Sequence, residues 1–251
     1  MRDPTERFSD RAEYYAKYRP GYPDEMLQFL RAHLVPPAAV ADVGSGTGIL
    51  TRLLLDCGYE LYAVEPNEPM RRHAERALSG YPAFHSARGT AEATTLGDRS
   101  VDLITCAQAF HWFDRVKARA EFCRILKTNG MIALIWNERL DDASEINREY
   151  DEMLKRMAPD YQTVSHRQIG LEEIRSFFAP GEAQTRGFPN DQMLDREEYL
   201  GRLISSSYVP NIGQSGHREI VEAAGKIFDA HQTAGKISFN YETKLYLGRI
   251  K

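Results

Sequence analysis

The stretch Asp42-Val43-Gly44-Ser45-Gly46-Thr47-Gly48 constrains this chain more than any other. The apolar run Ala38-Ala39-Val40-Ala41 leads into it, and Ile49-Leu50-Thr51-Arg52-Leu53-Leu54-Leu55 leads out with the spacing of a helix. Glycines at 44, 46 and 48 open backbone conformations that other residues rarely adopt, so a strand can turn into a helix within a few positions. Strand, glycine turn and helix N-terminus together leave a place where a ligand can lie against bare backbone. Such a unit is the first part of a parallel crossover and commits the chain to an α/β fold.

The same alternation continues to residue 136. A helix over Ile49–Cys57 is stopped by Gly58, and Leu61-Tyr62-Ala63-Val64 is the second strand, ending at Glu65-Pro66. Pro69 to Leu78 reads as a helix with proline at its start, and Ala83–Ser86 as a third strand. Val101–Cys106 is the fourth strand, Arg115–Leu126 a helix and Met131–Trp136 the fifth strand, with Asn129-Gly130 as punctuation. Repeated units of this length predict a parallel sheet covered on both faces, with the ligand beyond the C-terminal strand ends near the switch in strand order.

The flanks are less regular. Ser9-Asp10 is positioned to cap a short helix bearing Tyr14, Tyr15 and Tyr18, followed by Arg19-Pro20-Gly21-Tyr22-Pro23. Tyr14 and Tyr18 share a helical face; the segment reads either as an aromatic-pinned helix or as a lid over a cleft. Asp24–His33 has the apolar face of a helix. After Asn137, helices are expected over Ser144–Met157, Leu171–Phe178, Asp195–Ser205 and His217–Ala234, and one extended strand over Ala183–Leu194. Ile237–Ile250 alternates β-branched and aromatic residues with polar ones, which predicts a long terminal strand.

Composition narrows the partners. A net charge of -4 gives no electrostatic case for nucleic acid, and no base-flipping motif or basic stripe appears. Three cysteines without C-x-x-C spacing speak against a disulfide framework and a cysteine-rich metal site, and no metal-ligand spacing is present. Residues Met1–Arg7 lack the apolar core of a secretory signal, and no apolar run approaches membrane-spanning length. A soluble, cytoplasmic protein is the expectation, with no membrane or metal involvement.

The glycine turn departs from a dinucleotide fingerprint, which needs a third glycine where Ile49 stands, and Asp42 just before Gly44 is a further departure. An NAD-dependent oxidoreductase is thereby disfavoured. Glu65, 17 residues after Gly48 and at the end of the second strand, suits acceptance of two ribose hydroxyls. Gly89-Thr90-Ala91-Glu92 follows the third strand, where Glu92 can accept from an adenine amino group and the Ala91 N–H can read a ring nitrogen. Ala107-Gln108-Ala109-Phe110-His111-Trp112-Phe113-Asp114 ends the fourth strand with amide, imidazole and indole groups together.

As a set, the Asp42–Gly48 turn, Val64-Glu65-Pro66, Thr90-Ala91-Glu92 and Ser100-Val101-Asp102-Leu103 resemble class I S-adenosylmethionine-dependent methyltransferases. Tyr18-Arg19-Pro20-Gly21-Tyr22-Pro23 and Ala109–Phe113 are similar to the small-molecule branch that includes trans-aconitate methyltransferase-like proteins. The resemblance implies a Rossmann-like seven-stranded sheet, mostly parallel, with an antiparallel terminal strand beside the fifth and a helical cap. It divides one domain, 1–251, into lid helices (1–36), cofactor-binding core (37–137), helices, sixth strand and cap (138–235) and terminal strand (236–251).

The implied cofactor is S-adenosyl-L-methionine, with S-adenosyl-L-homocysteine as product. Gly44, Gly46 and Gly48 would approach its methionine part, Glu65 its ribose, Ala91 and Glu92 its adenine, and Met70 would pack nearby. Ala107 and Gln108 would flank the methionine by the methyl group, and Tyr18, Arg19, Asp42, Ser45, Thr47, Pro66 and Thr90 complete the cofactor set. Glu92 departs from the aspartate common in relatives. His111 is the candidate general base, or else a residue that orders the loop beside Trp112. Tyr14 with Tyr18 could close over the sulfonium. A carboxylate acceptor would need no base; Arg19 and Arg202 could bind its charge, although Arg202 also reads as a solvated surface arginine. The expected activity is methyl transfer to a small molecule, O-methylation favoured; a cofactor-binding protein without catalysis is the alternative.

Overall fold

In the computed structural model, which describes residues 12–158, 160–161 and 169–250, β1 (Ala39–Val43) is buried at every position. A strand apolar on both faces belongs at the centre of a covered parallel sheet. β1 pairs in parallel with β2 (Glu60–Val64) on one side and β4 (Val101–Ala107) on the other. With β3 (Phe84–Ala87), β5 (Leu126–Arg139), β6 (Ala183–Pro189) and β9 (Tyr241–Gly248), the order among the described residues is β3-β2-β1-β4-β5-β9-β6. Only β9 runs against the rest: it is antiparallel to β5 and to β6. This is the Rossmann-like seven-stranded sheet expected from the sequence, mostly parallel with an antiparallel terminal strand.

One face packs on α2 (Asp24–His33), α3 (Ile49–Asp56) and α4 (Glu68–Ala77) through Met26, Leu30, Leu50, Leu54 and Ala74. The other carries α5 (Arg115–Ile125) and α7 (Leu171–Phe178) on Phe122, Ile125, Phe177 and Phe178. Strand order reverses between β1 and β4, so the cleft opens over the glycine turn and the segment after β4. Most element bounds fall within a residue or two of expectation. The cap over Ser9-Asp10 lies outside the described residues; the helix itself, α1, spans Ala12–Tyr18.

Two expected strands are each broken. Ala183–Leu194 divides into β6 and β7 (Gln192–Asp195), and the terminal run into β8 (Lys236–Phe239) and β9. Pro189 has no N–H for a continuing ladder, and the pair bends at Asn190-Asp191 opposite Asn240. Register is kept across the bend, from Pro189↔Glu242 to Gln192↔Phe239. Side chains replace the missing ladder bonds: Asn147 Nδ2 donates to the Asn240 carbonyl (3.1 Å), and Asp191 Oδ1 accepts from the Tyr241 N–H (3.2 Å). Beyond the bend, β7 and β8 join α6 (Glu145–Met157), α8 (Arg196–Ile204) and α9 (His217–His231) around a separate core of Tyr150, Leu154, Tyr199, Phe228 and Phe239. That unit is the cap.

β5 also runs past the expected Trp136 to Arg139, paired with Tyr241–Thr243. The extension carries Asn137 and Arg139 above the sheet edge and forms one wall of the cleft.

Candidate active site

The glycine turn has the backbone its sequence demands. Gly44, Gly46 and Gly48 have φ of +73°, +57° and +84°. Its amides, however, are turned inward. Gly44 and Ser45 N–H donate to the Val64 carbonyl (2.9 and 3.2 Å), Gly46 N–H to Glu65 Oε2 (2.8 Å) and Gly48 N–H to the Ser45 carbonyl (3.0 Å). Four donors that could cradle a diphosphate are therefore spent inside the fold. The buried hydroxyls of Ser45 and Thr47 have no hydrogen-bond partner among the described residues.

Asp42 is buried behind this turn, accepting from Thr51 Oγ1 (2.6 Å) and Thr105 Oγ1 (2.8 Å). Burial outweighs these two bonds and pushes its carboxyl up to about 6 from the ordinary 3.8. A carboxyl with a raised pKa favours the fold most while protonated, and that contribution is lost as pH rises from about 4 through about 6. Asp42→Asn keeps the shape without the ionisation. Its stability relative to the parent is expected to rise by up to about 3 kcal/mol between pH 4 and 7.5. Urea unfolding of both proteins across that range checks this; parallel pH profiles would refute it.

Two adjoining chambers, which share lining residues, flank the turn. The first is bounded by Gly44, Gly46, Glu65, Pro66, Asn67, Met70, Thr90, Ala91, Glu92, Ala109, Trp112 and Phe113. Glu65 is 6 % exposed and its carboxylate joins two strand-end loops, accepting from Gly46 N–H and from Asn67 N–H (2.8 Å each). Burial raises its pKa above the usual glutamate range against these two bonds. Asn67 caps α4 by accepting from Met70 N–H (3.0 Å), which sets Met70 in the chamber wall. Ala91 is buried, and its N–H donates to no acceptor among the described residues. Glu92 Oε1 accepts from Asp114 N–H (2.8 Å), tying this loop to the start of α5.

The second chamber lies between core, N-terminal segment and cap. Tyr15, Arg19, Tyr22, Asp42, Ser45, His111, Trp112, Asn137, Arg139, Tyr161, Ser207, Tyr208 and Tyr241 line it. Tyr15, Gly44, Gly46, Ala107, Gln108 and Trp112 face both chambers and mark their junction. Gln108 holds a left-handed backbone (φ +55°), its N–H bonded to the Ile135 carbonyl (2.9 Å) and its side-chain amide to the Asn137 carbonyl (3.2 Å). A non-glycine residue in that conformation at a cleft junction is strain held by the surrounding fold. Burial pushes the Tyr15 and Tyr22 phenols above their ordinary range, so neither is a base near neutrality.

The two chambers gather Arg19, Asp42, Gly44, Ser45, Gly46, Glu65, Pro66, Met70, Thr90, Ala91, Glu92, Ala107, Gln108 and His111 of the expected residues. Thr47 and Gly48 are buried beneath the turn and line neither chamber. Tyr14 and Tyr18 do not close over the cleft. Tyr14 faces outward at 37 % exposure, while the Tyr18 ring lies on Gly201 and its hydroxyl donates to Glu197 (2.7 Å). The turn of α1 instead presents Tyr15, one position on from the predicted face. Arg202 is no solvated residue either: it is 4 % exposed.

Sequence reasoning missed Asn137, Arg139, Tyr161, Tyr208 and Tyr241. Asn137 and Arg139 follow the fifth strand, on the edge where ligands bind, and that position was the available signal. Arg139 is held by Asp141 and Asp151 (2.9 Å each) and by the Tyr161 hydroxyl (2.7 Å). Its charge is met by carboxylates; for Arg19 no carboxylate contact occurs among the described residues, and its Nη2 donates to the Ser205 carbonyl (3.1 Å).

Residues 41–134, the segment holding the glycine turn, Glu65, Thr90–Glu92 and His111, match the family model described as a methyltransferase domain. Over that segment the chain is similar to methyltransferase domains. An uncharacterised methyltransferase of Mycobacterium tuberculosis is 38 % identical over 157 residues, 62 % of this chain and 61 % of that protein. The chain thus matches less than two thirds of the length of that relative. A methyltransferase-like protein of Schizosaccharomyces pombe is 29 % identical over 246 residues, 95 % of this chain and 93 % of its own. Among solved structures, a protein of Anaeromyxobacter dehalogenans assigned as a type II methyltransferase superposes with a TM-score of 0.64 at 23 % identity, covering 93 % of this chain and 98 % of that one. At that identity the likeness concerns the fold alone.

Proposed function

We propose that the protein transfers a methyl group from S-adenosylmethionine to a small molecule held in the second chamber. The observation that carries this is the inward turn of the Gly44, Ser45, Gly46 and Gly48 amides. A dinucleotide lays its diphosphate on such amides; a sulfonium cofactor has no phosphate and needs acceptors there instead. The donor set fits that cofactor: Glu65 for ribose hydroxyls, the Ala91 N–H and Glu92 for adenine, and Asp42 with turn carbonyls for the methionine ammonium. The Ser45 hydroxyl and the Arg19 Nε, both buried with no hydrogen-bond partner among the described residues, suit its carboxylate.

When bound, the cofactor supplies an electrophilic methyl group on a positively charged sulfur. The chain's part is alignment and exclusion of water, since in-line displacement gains most from a fixed approach. Gln108 and Trp112 stand at the junction where donor and acceptor would meet. Tyr15, Tyr22, Tyr208 and Tyr241 offer ring surface and hydroxyls, which favour an oxygen acceptor such as a carboxylate or hydroxyl. For a hydroxyl acceptor, His111 is the lining side chain suited to take the proton. No group of three or more His, Cys, Asp or Glu side chains with metal-holding geometry occurs among the described residues, and no helix among them is long and apolar enough to cross a membrane.

Calorimetric titration with S-adenosylmethionine, S-adenosylhomocysteine and NAD tests the reading. Binding of the first two and none of the third is expected. Heat from NAD alone would overturn it.

A further inference from the structure

Arg202 on α8 is a buried cation that makes no carboxylate contact among the described residues. Its Nε donates to the Tyr18 carbonyl at the end of α1, and its Nη2 donates to Gln192 Oε1 of β7 (2.7 Å). The guanidinium sits 5.5 Å from the ring centre of Tyr241, which lines the second chamber. Nη1 is buried and has no hydrogen-bond partner among the described residues. A cation kept out of water in this way weakens the fold unless it does something that a neutral side chain would not. Its two hydrogen bonds join the N-terminal helix to the cap, and its ring contact reaches the chamber wall.

The surrounding contacts have the same direction. One residue earlier on α8, Gly201 receives the Tyr18 ring so closely that a Cβ there would lie 2.5 Å from it. One turn later, the Ser205 carbonyl accepts from Arg19. The outer pair, Lys17 with Glu197 (2.7 Å), is exposed on both sides and holds little by itself. The segment so gripped carries Tyr15 and Arg19, which face the chambers. Its far end is tied to the sheet instead, where Asn137 and Asn190 Nδ2 donate to the Gly21 carbonyl (3.0 Å each).

We propose that Arg202 is a positioning residue that latches the N-terminal helix to the cap, so that Tyr15 and Arg19 close over the cofactor only while α8 holds the end of α1. This rests on the cofactor reading above for one of its two readouts. Residues of the cap then set how tightly the cofactor is held without touching it, and an acceptor that orders the cap slows cofactor escape.

Arg202→Ala and Gly201→Ala release the latch by different means, one by removing a donor and the other by displacing the Tyr18 ring. Each is expected to raise the dissociation constant for S-adenosylhomocysteine about tenfold, the scale of one hydrogen bond to a charged group, chiefly through faster dissociation. Arg202→Lys should recover part of the loss. Lys17→Ala should leave dissociation unchanged, and in an Arg19→Ala background Arg202→Ala should add little. Without any cofactor, tryptic cleavage after Lys17 should be several-fold faster in both latch variants, and melting curves establish that each is folded. Folded variants with parental dissociation rates and parental cleavage overturn the latch. Failure of the parent to bind S-adenosylhomocysteine would strike the cofactor reading alone, and the cleavage rates would then decide the latch.

Discussion

Glu65→Ala is expected to weaken S-adenosylhomocysteine binding by roughly 1.5–3 kcal/mol, about ten- to a hundredfold, as loss of charged hydrogen bonds to the ribose would. The carboxylate does two things at once. Its two oxygens already bind the amides of Gly46 and Asn67, which aligns the glycine turn with the start of α4, and the remaining lone pairs face the first chamber. Alanine leaves both amides without an acceptor in a buried place, so stability should fall as well, by about 1–3 kcal/mol for each amide that water cannot reach. Glu65→Gln separates the effects, because one oxygen still accepts while the amide nitrogen opposes the second N–H.

The pH profile adds a sign. Burial raises the pKa of Glu65, and the ionised form is the stronger acceptor, so affinity should decline on acidification, starting above the pH at which an exposed glutamate protonates. Affinity of the alanine variant should lack that component. Titration calorimetry across pH, with thermal melts alongside, reads both terms. An unchanged affinity in folded Glu65→Ala would remove the ribose assignment.

Gly44→Ala should destabilise the protein by about 2–4 kcal/mol, combining a left-handed backbone penalty with overpacking. Gly44 has a φ of +73°, and a Cβ there would lie 2.5 Å from the Ala109 Cβ. Ala109 follows Gln108 at the junction of the chambers, so the displacement would reach the strained residue that lines both. Ala109→Gly in the same chain removes the clash and leaves the backbone penalty. The double variant should therefore recover stability relative to Gly44→Ala, an interaction that denaturant midpoints measure. Additive losses would show that the two Cβ positions do not collide.

The fold was legible wherever local pattern and tertiary context agree. Val40–Val43 before three glycines, Glu65 at a strand end and the alternating terminal run all encode their roles in neighbouring residues. The strand break was half legible: Pro189 marks one side, but Asn240 bends because Asn147, far away in sequence, takes over its backbone bonds. The face of α1 was misjudged because Tyr14 and Tyr18 share a helical stripe whatever lies opposite it. What lies opposite is Gly201, and nothing near Tyr18 in sequence announces it. Arg202 looked like a solvent-exposed arginine because its partners are backbone and ring atoms of Tyr18 and Tyr241. Tyr161, Tyr208 and Tyr241 converge from three separate segments, and their meeting is a property of the cap core rather than of any motif.

The bent ribbon of β6–β7 against β8–β9 has a mechanical meaning. Because its pairing passes without slippage from the large sheet into the cap, the two hydrophobic cores share a pair of chains instead of a flexible tether. Heating should therefore melt both cores in one transition, and slow-exchanging amides should run through the ribbon from Leu245 to Ile237. Changes to the cap's inner surface can reshape the second chamber, while its position over the sheet stays fixed by backbone pairing.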